Sequence, residues 1–92
     1  MSPQEVSTSL ARAPSWHLST DGRHIERVVE CHSFAGAIAF VGRVSLLAEA
    51  ASHHPVIEVC EGRVRLVLTT RSAGGLTERD VGLASWVDRV VP

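Results

Sequence analysis

The sequence predicts an α+β fold: a single domain over residues 1–92 in the order α-β-β-α-β-β-α, with a four-stranded antiparallel sheet covered on one face by helices. Three observations carry this reading. Apolar residues recur at helical spacing from Phe34 to about Ser52, and they alternate at period two from Arg63 to Thr70. The strand-like stretches come in pairs, joined at Asp21-Gly22 and at Glu61-Gly62. Hairpins separated by helices favour an antiparallel sheet over alternating parallel units.

Each element has its own signal. Ser2, Pro3 and Glu5 read as an N-cap, a proline in the first turn and a capping-box acid, so a first helix runs to about Ala11 or Ala13 and stops before Pro14. Trp16 to Ser19 is a short extended piece. Beyond the Asp21-Gly22 turn, Ile25, Arg27, Val29 and Cys31 alternate with His24, Glu26, Val28 and Glu30 as a second strand. Ser33 caps the long helix, roughly 18 residues or ~27 Å. Its expected inward stripe is Phe34, Ala37, Ile38, Val41, Val44, Leu47, Ala48 and Ala51, with Phe40 and Leu46 off it. Val56 to Cys60 and Arg63 to Thr70 are the second strand pair. Gly74-Gly75 breaks the chain, and Thr77-Glu78-Arg79-Asp80 is a capping box opening a last helix with Val81, Leu83, Ala84, Val87 and Val90 inward.

Composition removes several function classes. Ten acidic residues face nine arginines and no lysine, a net charge of −1, so nothing marks a nucleic-acid or anionic-membrane surface. Cys31 and Cys60 follow no metal or redox spacing and read as two thiols in a reduced compartment. The N-terminus has no signal-peptide pattern, and no apolar run approaches the ~20 residues of a membrane span. These features predict a soluble, cytoplasmic protein. The long helix is apolar over so much of its girth that a second surface is expected to cover it, most simply another subunit.

The chemistry concentrates at His53-His54-Pro55, two imidazoles at the end of the long helix with a proline setting the exit. Imidazoles are the side chains best suited to pass protons near neutral pH. The competing reading is two exposed polar groups at a helix C-terminus, where imidazolium is favoured by the dipole. No metal site is expected, because adjacent histidines rarely chelate one ion and no Cys-x-x-Cys or His-x-x-x-His pair is present. Trp16 is a candidate for stacking on a planar ligand, and Trp86 reads as core or interface.

Taken in order, Phe34…Ala37-Ile38-Ala39-Phe40-Val41…Leu47-Ala48-Glu49, His53-His54-Pro55, Val64…Leu66…Leu68-Thr69-Thr70 and Ala73-Gly74-Gly75-Leu76-Thr77-Glu78-Arg79-Asp80 resemble the pterin-4a-carbinolamine dehydratase family from Trp16 to Asp88. The resemblance implies a small α+β subunit assembling as a homodimer or homotetramer through helix and sheet-edge contacts. It implies dehydration of 4a-hydroxytetrahydropterin to quinonoid dihydropterin in tetrahydropterin recycling, without metal or organic cofactor. Carried over by position, His53 and His54 are the catalytic imidazoles, and Pro55, Trp16 and Asp80 shape or support the substrate pocket. The chain departs from the family at the third site position, where Thr70-Arg71 stands for Thr-His. A guanidinium stays charged and cannot shuttle a proton, though it can hydrogen-bond a carbonyl or polarise a leaving oxygen. Ser52 and Val56 likewise replace polar or acidic neighbours of the histidine pair. The alternative implied by the resemblance is a catalytically weak or inactive member acting as an oligomeric scaffold, assembly factor or dimerisation partner.

Overall fold

The computed structural model describes all residues, Met1–Pro92. The elements are α1 (Pro3–Leu10), β1 (His17–Leu18), β2 (Ile25–Glu30), α2 (Phe34–Ala51), β3 (Val56–Cys60), β4 (Arg63–Leu68) and α3 (Glu78–Asp88), with a 3-10 turn at Arg71–Ala73. The sheet order is β1-β2-β4-β3 and every pairing is antiparallel. The two hairpins therefore join through β2 and β4, in register from Ile25 opposite Leu68 to Glu30 opposite Arg63. β1 and β3 are left as edges. The expected α+β order holds.

Local chemistry explains the boundaries. Ser2 and Glu5 exchange side chain to backbone hydrogen bonds, at 3.2 and 2.9 Å, and close the capping box of α1. In the first hairpin Asp21 accepts from the Ser19 hydroxyl and the Arg23 amide, which hold its carboxyl down at about 2, and Gly22 takes φ +73°. Ser33 caps α2 through the Gly36 amide, 2.9 Å. β4 ends at Leu68, two residues short of the expected limit, because Thr70 leaves the ladder. It instead forms an isolated two-residue bridge with Gly75, which closes the Arg71–Gly74 loop.

The inner face of the sheet carries Ile25, Val29, Val64, Leu66 and Leu68, all at most 2% exposed. Against them α2 lays Ala37, Phe40, Val44 and Ala48. This corrects the expected stripe. Phe40, expected off it, is fully buried, whereas Phe34 and Ile38 point outward. With apolar residues all round the helix, the rotation is decided by packing, and the wide Phe40 ring is taken into the core cluster between helix and sheet. By length and composition α2 would suffice to cross a membrane, with mean hydropathy 1.5 over 18 residues, which revises the sequence expectation on apolar runs. Its buried stripe places it as the core helix over the sheet.

The outer face of the sheet is polar and cross-linked. Arg65 sits between Glu26 and Glu58, and Arg63 meets Glu30 at 3.2 Å. The C-terminal end of α3 is fastened to the sheet side by Asp88, whose Oδ1 accepts from Arg27 at 2.6 Å and from the Trp16 indole N–H at 2.8 Å. Trp16 is 4% exposed and belongs to the core cluster.

Candidate active site

The C-terminus of α2 builds the first half of the site. The Ser52 amide bonds to Glu49 O and the His53 amide to Ala48 O, both at 3.1 Å, a Schellman closure with Ser52 in the left-handed region at φ +49°. The helix is stopped there, three residues before the proline expected to stop it. Pro55 acts later, by leading the chain into β3. The reversal at Ser52 sends the adjacent imidazoles to different environments. His53 is 8% exposed and turned toward α3, whereas His54 is exposed and its Nε2 lies 3.5 Å from Glu49.

The N-terminus of α3 builds the second half. Thr77 is the N-cap and Asp80 the capping-box acid, as the sequence predicts. Asp80 is fully buried, and its two oxygens divide the work. Oδ2 accepts from the Thr77 amide at 2.9 Å and from the Thr70 hydroxyl at 2.8 Å. Oδ1 faces His53 Nε2 at 2.5 Å. One carboxylate therefore starts the helix and orients the imidazole. With Asp80 ionised, Nε2 carries the proton given to Oδ1, and Nδ1 is left as the basic nitrogen. The Thr70 hydroxyl is within 2.8 Å of Thr77 Oγ1, so strand end, cap and imidazole form one connected network.

Arg79, which the sequence analysis did not single out, adds a second clamp. Its Nη2 donates to Ser52 O at 2.7 Å, so two neighbouring residues of α3 grip two neighbouring residues of the α2 terminus. The signal available in the sequence was its position beside Asp80 in the capping box.

His53, His54, Pro55 and Arg71 line a single cavity of about 450 Å³, together with Arg79 and the hydroxyl-bearing Thr69, Thr70 and Ser72. The structure thus brings together both histidines, Pro55 and the substituted third position. It supports them from behind with Asp80. It does not bring Trp16 there: the indole lies in the core against Asp88. A second, mainly apolar trough of about 480 Å³ runs between α2 and α3, walled by Leu47, Ala50, Leu83 and Trp86. The two share His53 and Arg79. Trp86 is half exposed and lies under the Arg89 guanidinium, 4.6 Å from the ring centre.

An oriented imidazole beside a second, solvent-facing one defines a site able to take a proton at one atom and deliver one at another. The profile of the pterin 4 alpha carbinolamine dehydratase family matches residues 1–90, and the chain belongs to that family. A Chloroflexus aurantiacus protein named "Putative pterin-4-alpha-carbinolamine dehydratase" is 46% identical over 91 residues, covering 99% of this chain and 96% of that one. An Acidobacterium capsulatum protein of the same name is 44% identical over 91 residues, covering 99% and 97%. The crystal structure of a transcriptional coactivator/pterin dehydratase from Brucella melitensis superposes with TM-score 0.92 at 29% identity, over 100% of this chain and 98% of that one. A pterin dehydratase-like protein identified as a RuBisCO assembly factor in the alpha-carboxysome superposes with TM-score 0.70 at 23% identity, over 83% and 88%. At that identity the second structure shares the fold alone.

Proposed function

We propose that the protein dehydrates 4a-hydroxytetrahydropterin to quinonoid dihydropterin, with His53 and His54 as the acid/base pair. The observation that carries this is the buried His53–Asp80 contact opening onto a cavity that also holds His54 and Arg71. In the reaction the C4a–O bond breaks, the hydroxyl leaves as water after gaining a proton, and a ring nitrogen gives up a proton as the C4a–N double bond forms. The step is proton-neutral overall. It needs one group to donate and one to accept, which a pair of imidazoles supplies near neutral pH. Dehydration of synthetic carbinolamine by the purified protein, measured against the spontaneous rate, tests the reading. A rate equal to the spontaneous one rejects it.

Arg71 sets the expected level of activity. Its guanidinium stabilises negative charge at a leaving oxygen but returns no proton. The natural protein is therefore expected to be a slow dehydratase, and Arg71→His is expected to raise it. The gain should fall on kcat rather than KM, because proton transfer belongs to the transition state. It should bring a new titration near the unperturbed imidazole value of about 6.5. An unchanged kcat in Arg71→His, in a parent already fully active, would make the guanidinium an electrostatic asset instead.

A second reading, a scaffold or assembly factor with a retired site, is favoured by Arg71 and by the outward face of α2. That face presents Phe34, Ile38 and Leu46, the last 72% exposed, with few charges. β3 adds an unpaired edge bearing Val56 and Val59, both partly exposed. Under either reading these surfaces are expected to be covered in a homodimer or homotetramer. Sedimentation at micromolar concentration should give twice or four times the chain mass. A stable monomer there removes the assembly proposal.

A further inference from the structure

The cavity holding the two histidines is one-sided in charge. Arg71 and Arg79 line it with His53 and His54, and no carboxylate is among its lining residues. Asp80 stands behind His53, fully buried, with both oxygens already occupied. Glu49, near His54, is exposed and outside the lining. Of the other seven arginines, four are neutralised, Arg12 by Glu78, Arg27 by Asp88, Arg63 by Glu30 and Arg65 by Glu26 and Glu58, while Arg23, Arg43 and Arg89 lie outside the lining of this cavity. Arg71 is exposed and pairs with no carboxylate, and Arg79 gives its hydrogen bond to the neutral Ser52 carbonyl. Two uncompensated guanidiniums in a concave site focus a positive field into it. The Ser72 hydroxyl lies in the same lining as a further donor, whereas that of Thr69 already donates to the Arg23 carbonyl at 2.7 Å.

A guanidinium is a poor exchange for an imidazole in proton transfer and a better one for binding an anion, because it presents fixed paired donors to a carboxylate or phosphate. We infer that the site takes a pterin carrying an anionic group, a carboxylate or phosphate, on its side chain, with Arg71 as the anion-binding residue and Arg79 adding charge. The inference rests on the dehydratase reading of the same pocket and narrows its substrate class. Arg71 then has a positive role: it exchanges some proton-transfer capacity for selection among pterins.

Equilibrium binding of two unreactive pterins, followed by their fluorescence at neutral pH, separates the possibilities. Pterin-6-carboxylate is expected to bind about tenfold more tightly than neutral 6-methylpterin. The preference should shrink as salt is raised and disappear in Arg71→Gln. Equal affinities in the parent, or a preference that survives Arg71→Gln, overturn the inference and leave the dehydratase reading standing. Inorganic phosphate is the control. If phosphate alone displaces 6-methylpterin as well as pterin-6-carboxylate does, the site recognises a free anion and the inference fails. If neither pterin binds, the pterin pocket itself falls, and both readings go with it.

Discussion

His53→Ala is expected to lower the dehydration rate by roughly 10²-fold or more and to destabilise the protein at the same time. The double effect follows from the position of the ring. Removing an imidazole that is 8% exposed leaves Asp80 Oδ1 buried without a partner. An unfilled buried acceptor costs about 1–3 kcal/mol, a large share of what a domain of this size has. His54→Ala should behave differently. His54 is exposed and its neighbour Glu49 is 3.5 Å away, so its loss should reduce the rate while moving stability by no more than about 0.5 kcal/mol. His53→Gln keeps a donor for Asp80 and separates the two losses: stability should largely return and the rate should not. Paired rate and thermal-melt measurements on the three variants check this. Undiminished rates in both His53→Gln and His54→Ala would leave the pair without a catalytic role and promote the scaffold reading.

Much of this architecture was legible because several local signals agreed. Ser2, Ser33 and Thr77 are capping residues with the expected partners, and β2, β3 and β4 start within a residue of where alternation and turn chemistry put them. The face of α2 was not legible. Nearly every turn of it offers an apolar residue to either side, so periodicity cannot choose between Phe34 and Phe40, and only the sheet can. Trp16 was misleading for a related reason. An exposed indole and a buried one have the same sequence signature, and the partner that decides, Asp88, lies 72 residues away. Within the site, the adjacency of His53 and His54 was visible. Which of them is buried was not, since it depends on the left-handed turn at Ser52 and on the docking of α3. Asp80 was legible as a helix cap and as pocket support, but the division of its two oxygens between cap and imidazole is a tertiary fact.

That division makes Asp80→Asn the most discriminating substitution in the protein. An amide has the shape of the carboxylate but only one acceptor oxygen. If that oxygen takes the place of Oδ2, it satisfies the Thr77 amide and the Thr70 hydroxyl, and the NH₂ group faces His53. His53 must then present a lone pair at Nε2 and carry its proton on Nδ1, the wrong tautomer for a base at that atom. The opposite orientation points NH₂ at two donors and unseats the start of α3. The first orientation costs less, so the fold should survive with a loss of about 1–3 kcal/mol while kcat falls by roughly 10²–10⁴-fold. KM should change little, because Asp80 is fully buried and does not line the cavity. Asp80→Ala, by contrast, removes the capping-box acceptor for the Thr77 amide and the Thr70 hydroxyl as well as the orienting group, and a loss of about 3 kcal/mol or more is expected. A folded Asp80→Asn protein with parental kcat would show that the orientation of His53 is irrelevant to the chemistry, and the acid/base assignment would have to move to His54.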